Sequence, residues 1–252
     1  MKNKSGKLLN LILSLVPVLC VFVLWAGCAK AVNSEYILPS VWATFSALII
    51  LLGKSEFYFS LLFTLGRSFV AFAVSFVLAF ILAVMTRLIK NADKIIAPLI
   101  SMMRALPTVA VVLLLLFWTN SKVAPIIVTM LVVLPTTYTQ LKSGFDGVDK
   151  ITVDAGLVDG ADRLGAFMKI ELPQTLPNIY SAIGSGISLN FKLMVAAEVL
   201  ASTAKSIGYL LNTSKVYFEI ATMIAIVLVA VVIGVVIELL FNFLSKKSDD
   251  FR

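Results

Sequence analysis

Of 252 residues, 60% are hydrophobic and 14% charged, with a mean hydropathy of +1.01. Soluble domains run at roughly 45–50% apolar and about 25% charged, so a water-soluble globule is excluded as the frame. The formal net charge of +7 does not point to nucleic acid, because the lysines and arginines stand in short groups between apolar runs instead of forming a basic face.

A first apolar run, about 8–29, follows Lys2, Lys4 and Lys7. It ends in Leu24-Trp25-Ala26-Gly27-Cys28, close to a lipoprotein cleavage site, but Trp25 is bulky and the run exceeds the ~7–15 residues of a signal core. An uncleaved first span is expected. Cys20 and Cys28, the two cysteines, lie in this run without metal-ligand spacing, against a redox or metal role. Residues 41–53 are apolar but too short to cross a ~30 Å hydrocarbon core, which suits a helix along the interface. Further spans are expected over about 60–85, 97–118, 123–141, 176–200 and 220–244, giving an all-α membrane protein of about six spans. One polytopic domain, 1–252, with a core of about 56–244, accounts for the chain.

Basic residues set the orientation. Lys2, Lys4, Lys7, Arg87, Lys90, Lys94, Arg104, Lys142, Lys150, Arg163, Lys169, Lys246, Lys247 and Arg252 fall on one side of this arrangement. Only Lys30, Lys54, Lys122, Lys205 and Lys215 fall on the other. Both termini are therefore expected in the cytoplasm. No internal repeat is visible, which gives no support to a duplicated secondary transporter. Histidine is absent, removing imidazole catalysis and the usual zinc and proton-relay ligands.

The longest polar stretch, 142–173, lies between the fourth and fifth spans on the expected cytoplasmic side, and a connection of ~30 residues is usually functional. Val153, Leu157, Ala161, Leu164 and Met168 recur there at three- and four-residue spacing, predicting an amphipathic helix over 152–169 bent at Gly160. Thr152 or Asp154 is the expected cap of its first turn. Pro173 is expected to stop the helix. An amphipathic loop on the lipid surface is the plainer alternative.

The run Asp154-Ala155-Gly156, Gly160, Ile170-Glu171-Leu172-Pro173 resembles the "EAA loop" of ABC importer permeases: E-A-A, three residues, G, nine residues, I-x-L-P. The spacing agrees at every step. Ala155, Gly160, Ile170, Leu172 and Pro173 match outright, on the order of one in a million by chance at ordinary residue usage. Asp154 replaces the family's Glu. Gly156 replaces its second Ala, weakening helix propensity by ~1 kcal/mol. The resemblance implies a short coupling helix, Ala161 included, seated on an ATPase subunit. It also implies two permease copies, two ATPase subunits and an extracytoplasmic solute-binding protein in a bacterial inner membrane. Arg104-Ala105-Leu106-Pro107-Thr108-Val109-Ala110, Thr64 to Phe69 and Val195-Ala196-Ala197-Glu198-Val199-Leu200 resemble the nitrate, sulfonate and taurine permeases, whose relatives include carriers of thiamine-precursor pyrimidines. The family's Trp before that Glu is absent here, where Phe191-Lys192 stands, and this leaves the substrate open.

No Walker A sequence occurs, so ATP is expected on a partner and no cofactor on this chain. An intramembrane hydrolase finds no G-x-S-x-G and no paired intramembrane aspartates. Charges within spans are costly, at about 2.5–3.5 kcal/mol on insertion scales. Arg67, Lys192 and Glu198 are therefore candidates for the translocation pathway or the core, with Arg104 and Pro107 beside them. Lys192 and Glu198, six residues apart, point to different helix faces and are not expected to pair. Arg67 is expected to meet a carboxylate or backbone carbonyls, and Lys192 has snorkelling as its alternative.

Overall fold

In hydrocarbon a backbone must bond to itself, which leaves helices and closed barrels. The structure, a computed structural model, describes residues 4–249, and every regular element among them is a helix. The expected first span falls on α1 (Lys4–Val32), whose side chains as far as residue 15 lie outside the described residues, as do Lys2 and Arg252. Cys20 and Cys28 are exposed thiols. From α1 the Trp25 indole N–H donates at 3.1 Å to the carbonyl of Pro39, in the turn that follows the helix. Ser40 then caps α2 (Val41–Leu52), accepting from the Ala43 N–H, so the short apolar segment is a helix of its own.

Four described helices are long and apolar enough to cross a membrane: Ser55–Leu88, Ala124–Asp146, Arg163–Leu200 and Ile220–Phe241. They correspond to α3 (Ser55–Leu88), α6 (Ala124–Asp146), the run containing α9 (Leu172–Leu200), and α11 (Ile220–Asp249). The expected third span is not one helix. It is α4 (Ala92–Ala105) followed by α5 (Thr108–Trp118), turned by 90°, and counting that pair as one span raises the number to five. The cause is Pro107, whose ring forces Leu106 out of the helical region, to φ −67° and ψ 125°.

By contacts the chain divides into two units, Met1–Tyr58 with Leu210–Val229, and Phe59–Tyr209 with Ala230–Arg252. The first holds α1, α2 and most of α10 (Ile207–Val216). In the second, α6 and α9 pack closely, leaving no room for a side chain at Gly144 of α6 beside Thr175 and Asn178 of α9. Ala79 and Ala83 of α3, Ile96 and Ile100 of α4, Leu141 and Phe145 of α6, and Ile179 and Ala182 of α9 share one buried cluster. A second cluster joins Val112 of α5, Val128 of α6 and Ala197 of α9.

Candidate functional site: the α6–α9 connection and the buried carboxylates

The connection begins with α7 (Lys150–Val158), two residues earlier than its expected start, because Asp149 stands before it. Asp149 accepts from the Ile151 N–H at 3.1 Å and from the Thr152 hydroxyl at 3.0 Å. Neither Thr152 nor Asp154 is the cap. Those donors hold the exposed Asp149 carboxyl below its ordinary pKa. A depressed carboxyl stabilises the fold above its unfolded pKa of about 3.9 and loses that contribution as pH falls through the lower folded value. Amide exchange in the first turn of α7 is therefore expected to be steady from neutral pH down to about pH 4 after correction for intrinsic rates, then to rise; Asp149→Ala should exchange faster at neutral pH, and the difference should shrink as the pH falls below about 4.

Gly160 ends α7 at φ +92°. Its N–H donates to Leu157 O at 3.2 Å and the Ala161 N–H to Gly156 O at 3.0 Å, the paired bonds of a Schellman turn. Asp162 then accepts from the Gly165 N–H and opens α8 (Arg163–Ala166). The turn changes the phase of the expected apolar stripe. Val153 is buried and Ala161 packs near it, but Leu157, Leu164 and Met168 are exposed. The inner face is instead Val148, Val153 and Ala166, with Ile170 packed on them. Asp154 and Ala155 are exposed.

Pro173 does not stop the helix. A π-helical turn, Phe167–Glu171, joins α8 to α9, and the Leu172 N–H reaches back five residues to Phe167 O. The wider turn makes room at the point where Pro173 has no N–H to give. The widened turn also carries Glu171, a carboxylate with 0% exposure. Arg87, in the last turn of α3, donates to its Oε2. Arg163 donates to Oε1 at 2.5 Å, and its other arm reaches the Arg87 carbonyl at 3.2 Å. Glu171 occupies the variable place in I-x-L-P, so the motif itself gives it no role. The available signal was a carboxylate at the mouth of a span with Arg163 eight residues before it.

The second buried carboxylate is Glu198, near the C-terminal end of α9, also with 0% side-chain exposure. Arg67 donates from Nε at 2.8 Å and pairs through Nη2 at 2.7 Å. Thr64 donates at 2.8 Å and the Gly208 N–H at 3.4 Å. Nη2 also reaches the Lys205 carbonyl at 3.2 Å, so Arg67 meets both a carboxylate and a backbone carbonyl. Thr64 Oγ1 in turn accepts from the Ile207 N–H at 3.0 Å. Lys192 forms no ion pair among the described residues; it is exposed, and its stem passes over Gly234 of α11. Arg104 is exposed at the end of α4 and donates to Thr139 and to the Pro135 carbonyl of α6. Pro107 marks the α4–α5 corner. The five candidate residues are thus spread over separate places, and only Arg67 and Glu198 come together. No group of three metal-ligating side chains occurs among the described residues.

Residues 75–250 match the family model for the inner membrane component of binding-protein-dependent transport systems. The chain belongs to this family. It is 26% identical to a protein of Methanocaldococcus jannaschii named as an ABC transporter permease, over 92% of this chain and 88% of that one. It is 23% identical to the taurine transport system permease protein TauC of Escherichia coli, over 61% of this chain and 56% of that one. Among solved structures, an amino acid ABC transporter with histidines shares the fold at a TM-score of 0.68 and 18% identity, covering 79% of this chain and 97% of that one. The chain is therefore a multi-pass helical permease of the binding-protein-dependent ABC type, the fold its intramembrane charges and its α6–α9 connection belong to.

Proposed function

We propose that this chain is the permease subunit of an ATP-driven importer and that the segment Asp154–Pro173 seats on the ATPase subunit. One observation carries the proposal: a connection that fixes its inner face against the α9 root through a built glycine turn leaves Val158, Leu164 and Met168 uncovered on the outside. Uncovered apolar side chains on a held scaffold are what a docking surface needs. Asp154, Ala155, Gly156, Gly160, Ala161, Ile170, Leu172 and Pro173 make up the segment, and the closing of the ATPase pair moves it so that the spans rock between outward and inward access. ATP is bound by the partner, and this chain carries no cofactor of its own.

In this proposal two copies assemble in a bacterial inner membrane with both termini cytoplasmic, and an extracytoplasmic solute-binding protein delivers the substrate. The whole of 1–252 is one permease domain of six spans, α1 and the bent α4–α5 pair included. The substrate is a small solute, with an anion such as a sulfonate, taurine or nitrate first and a thiamine-precursor pyrimidine next, supported by the taurine relative. Arg67, Arg104, Pro107, Lys192 and Glu198 line or brace the pathway.

The test is co-purification from native membranes by a tag on this chain. Recovery of an ABC ATPase supports the proposal, and recovery of the chain alone, with uptake driven by an ion gradient in liposomes, sinks it in favour of a secondary transporter. A Cβ at Gly160 meets nothing within 4 Å, so only the left-handed backbone resists substitution, at about 1–2 kcal/mol. Gly160→Val is expected to leave membrane insertion intact and reduce the recovered ATPase at least tenfold, whereas Gly160→Asn, which tolerates that backbone, keeps most of it.

A further inference from the structure

The four charged residues at the root of the connection come from three separate stretches of chain. Glu171 sits in the π turn, Arg163 in α8, Arg87 at the end of α3 and Asp146 at the end of α6, 3.9 Å from Arg87. Rings run alongside: Phe80 of α3 lies 6.3 Å from Phe145 of α6, and Phe145 lies 5.4 Å from Phe167 of the π turn. Arg87 is 18% exposed and Arg163 39%, against 0% for Glu171. One buried carboxylate therefore holds two guanidiniums, one from the connection and one from a membrane helix distant in sequence.

We propose that Glu171, with Arg87 and Arg163, is a clasp that fastens the α7–α8 connection to the ends of α3 and α6, so that displacement of the connection is delivered to these helices as one body and not to α9 alone. The assignment rests on the docking role given above to that connection. Its geometry suits the task. The carboxylate faces inward, touching nothing a docked subunit would touch, while each of its oxygens is committed to a different element. A chain fastened only by the covalent run into α9 would let the wide π turn act as a hinge, since its hydrogen bonds are of the rarer five-residue kind. The Arg163 arm on the Arg87 carbonyl closes that freedom without involving α9. Glu171, Arg87 and Arg163 are thus positioning residues: they act through the connection and not on the substrate.

The clasp is tested by spin labels at Lys150 and Ile89, both exposed, in a chain with Cys20→Ser and Cys28→Ser, diluted with unlabelled chain and co-purified with its ATPase. Pulsed dipolar spectra are recorded in lipid nanodiscs with and without Mg-ATP plus vanadate. The wild-type label distance is expected to stay unchanged on trapping, because both labels ride on one body. In Glu171→Gln it should change by about 2 Å or more, the size of ordinary helix shifts, with no change in thermal midpoint in the untrapped state large enough to account for it. If Glu171→Gln does not accumulate, Arg163→Ala decides, since the buried Glu171 carboxylate then still keeps Arg87 as its charged partner; it should give the same nucleotide-dependent change, and Arg163→Lys should reverse part of it. Invariant distances in the variants overturn the clasp, as does a wild-type distance that moves with nucleotide. Failure of any ATPase to co-purify with the wild type overturns the docking role itself, and the clasp's transmission with it, and is distinguishable because no trapped state then forms.

Discussion

Arg67→Met is expected to destabilise the protein by about 3–5 kcal/mol, the range for removing one partner of a buried ion pair. Glu198 has no exposure and would keep only the Thr64 hydroxyl and the longer Gly208 N–H as donors. The reverse change, Glu198→Leu, should cost less, because Arg67 is 13% exposed and retains the Lys205 carbonyl. The double variant Arg67→Met with Glu198→Leu should recover most of the loss, as buried pairs replaced by apolar side chains of similar size commonly do. Thermal denaturation of the detergent-solubilised protein gives the comparison. A double variant no more stable than Arg67→Met would show that the pair does not act as a unit.

The second large effect is expected at Gly156. By helix propensity alone this residue is a weakness, about 1 kcal/mol below alanine, yet the space where its side chain would stand is taken by Ile170. A single methyl there meets only the terminal Cδ1 of Ile170, which can rotate away, so Gly156→Ala should be mild. Gly156→Val has no such escape and should cost about 1–3 kcal/mol of overpacking locally, lifting α7 off the π turn. On the proposed docking role the recovered ATPase should fall at least tenfold while membrane insertion holds. Ile170→Ala added to Gly156→Val vacates the space and should restore the partner. Failure of that rescue, with both chains equally inserted, would mean that the contact does not set the position of α7.

Much of this architecture was legible before any coordinates, and the misses share a cause. Long apolar runs placed the membrane helices, and Gly160 stood where a left-handed turn was needed. A single helical wheel drawn through Gly160 fails beyond it, because a Schellman turn ends the 100° phase that would carry Leu164 and Met168 onto the face of Val153; Leu157, before the turn, lies at the edge of that face and is partly exposed. Pro107 stands within an apolar run long enough to pass for one span, although the residue before a proline is driven from helical geometry. The clasp was hidden for a different reason. Arg87 and Glu171 are 84 residues apart, and no local period links two positions that meet only once α3 and α9 have packed. The Arg67–Glu198 pair, separated by 131 residues, was anticipated only as a demand for some carboxylate, since the cost of an intramembrane charge is local but the identity of its partner is not.

The five-residue bonding of Phe167–Glu171 inserts one residue more per turn than an ordinary helix would hold there. One residue is about 100° of rotation. The long fixed interval between the glycine of the turn and Leu172-Pro173 is thus an angular setting as much as a distance: it dials the direction in which the outer connection points, relative to the membrane helix it is welded to. Shortening the interval by one residue would aim the connection roughly a quarter of a revolution away from its present bearing.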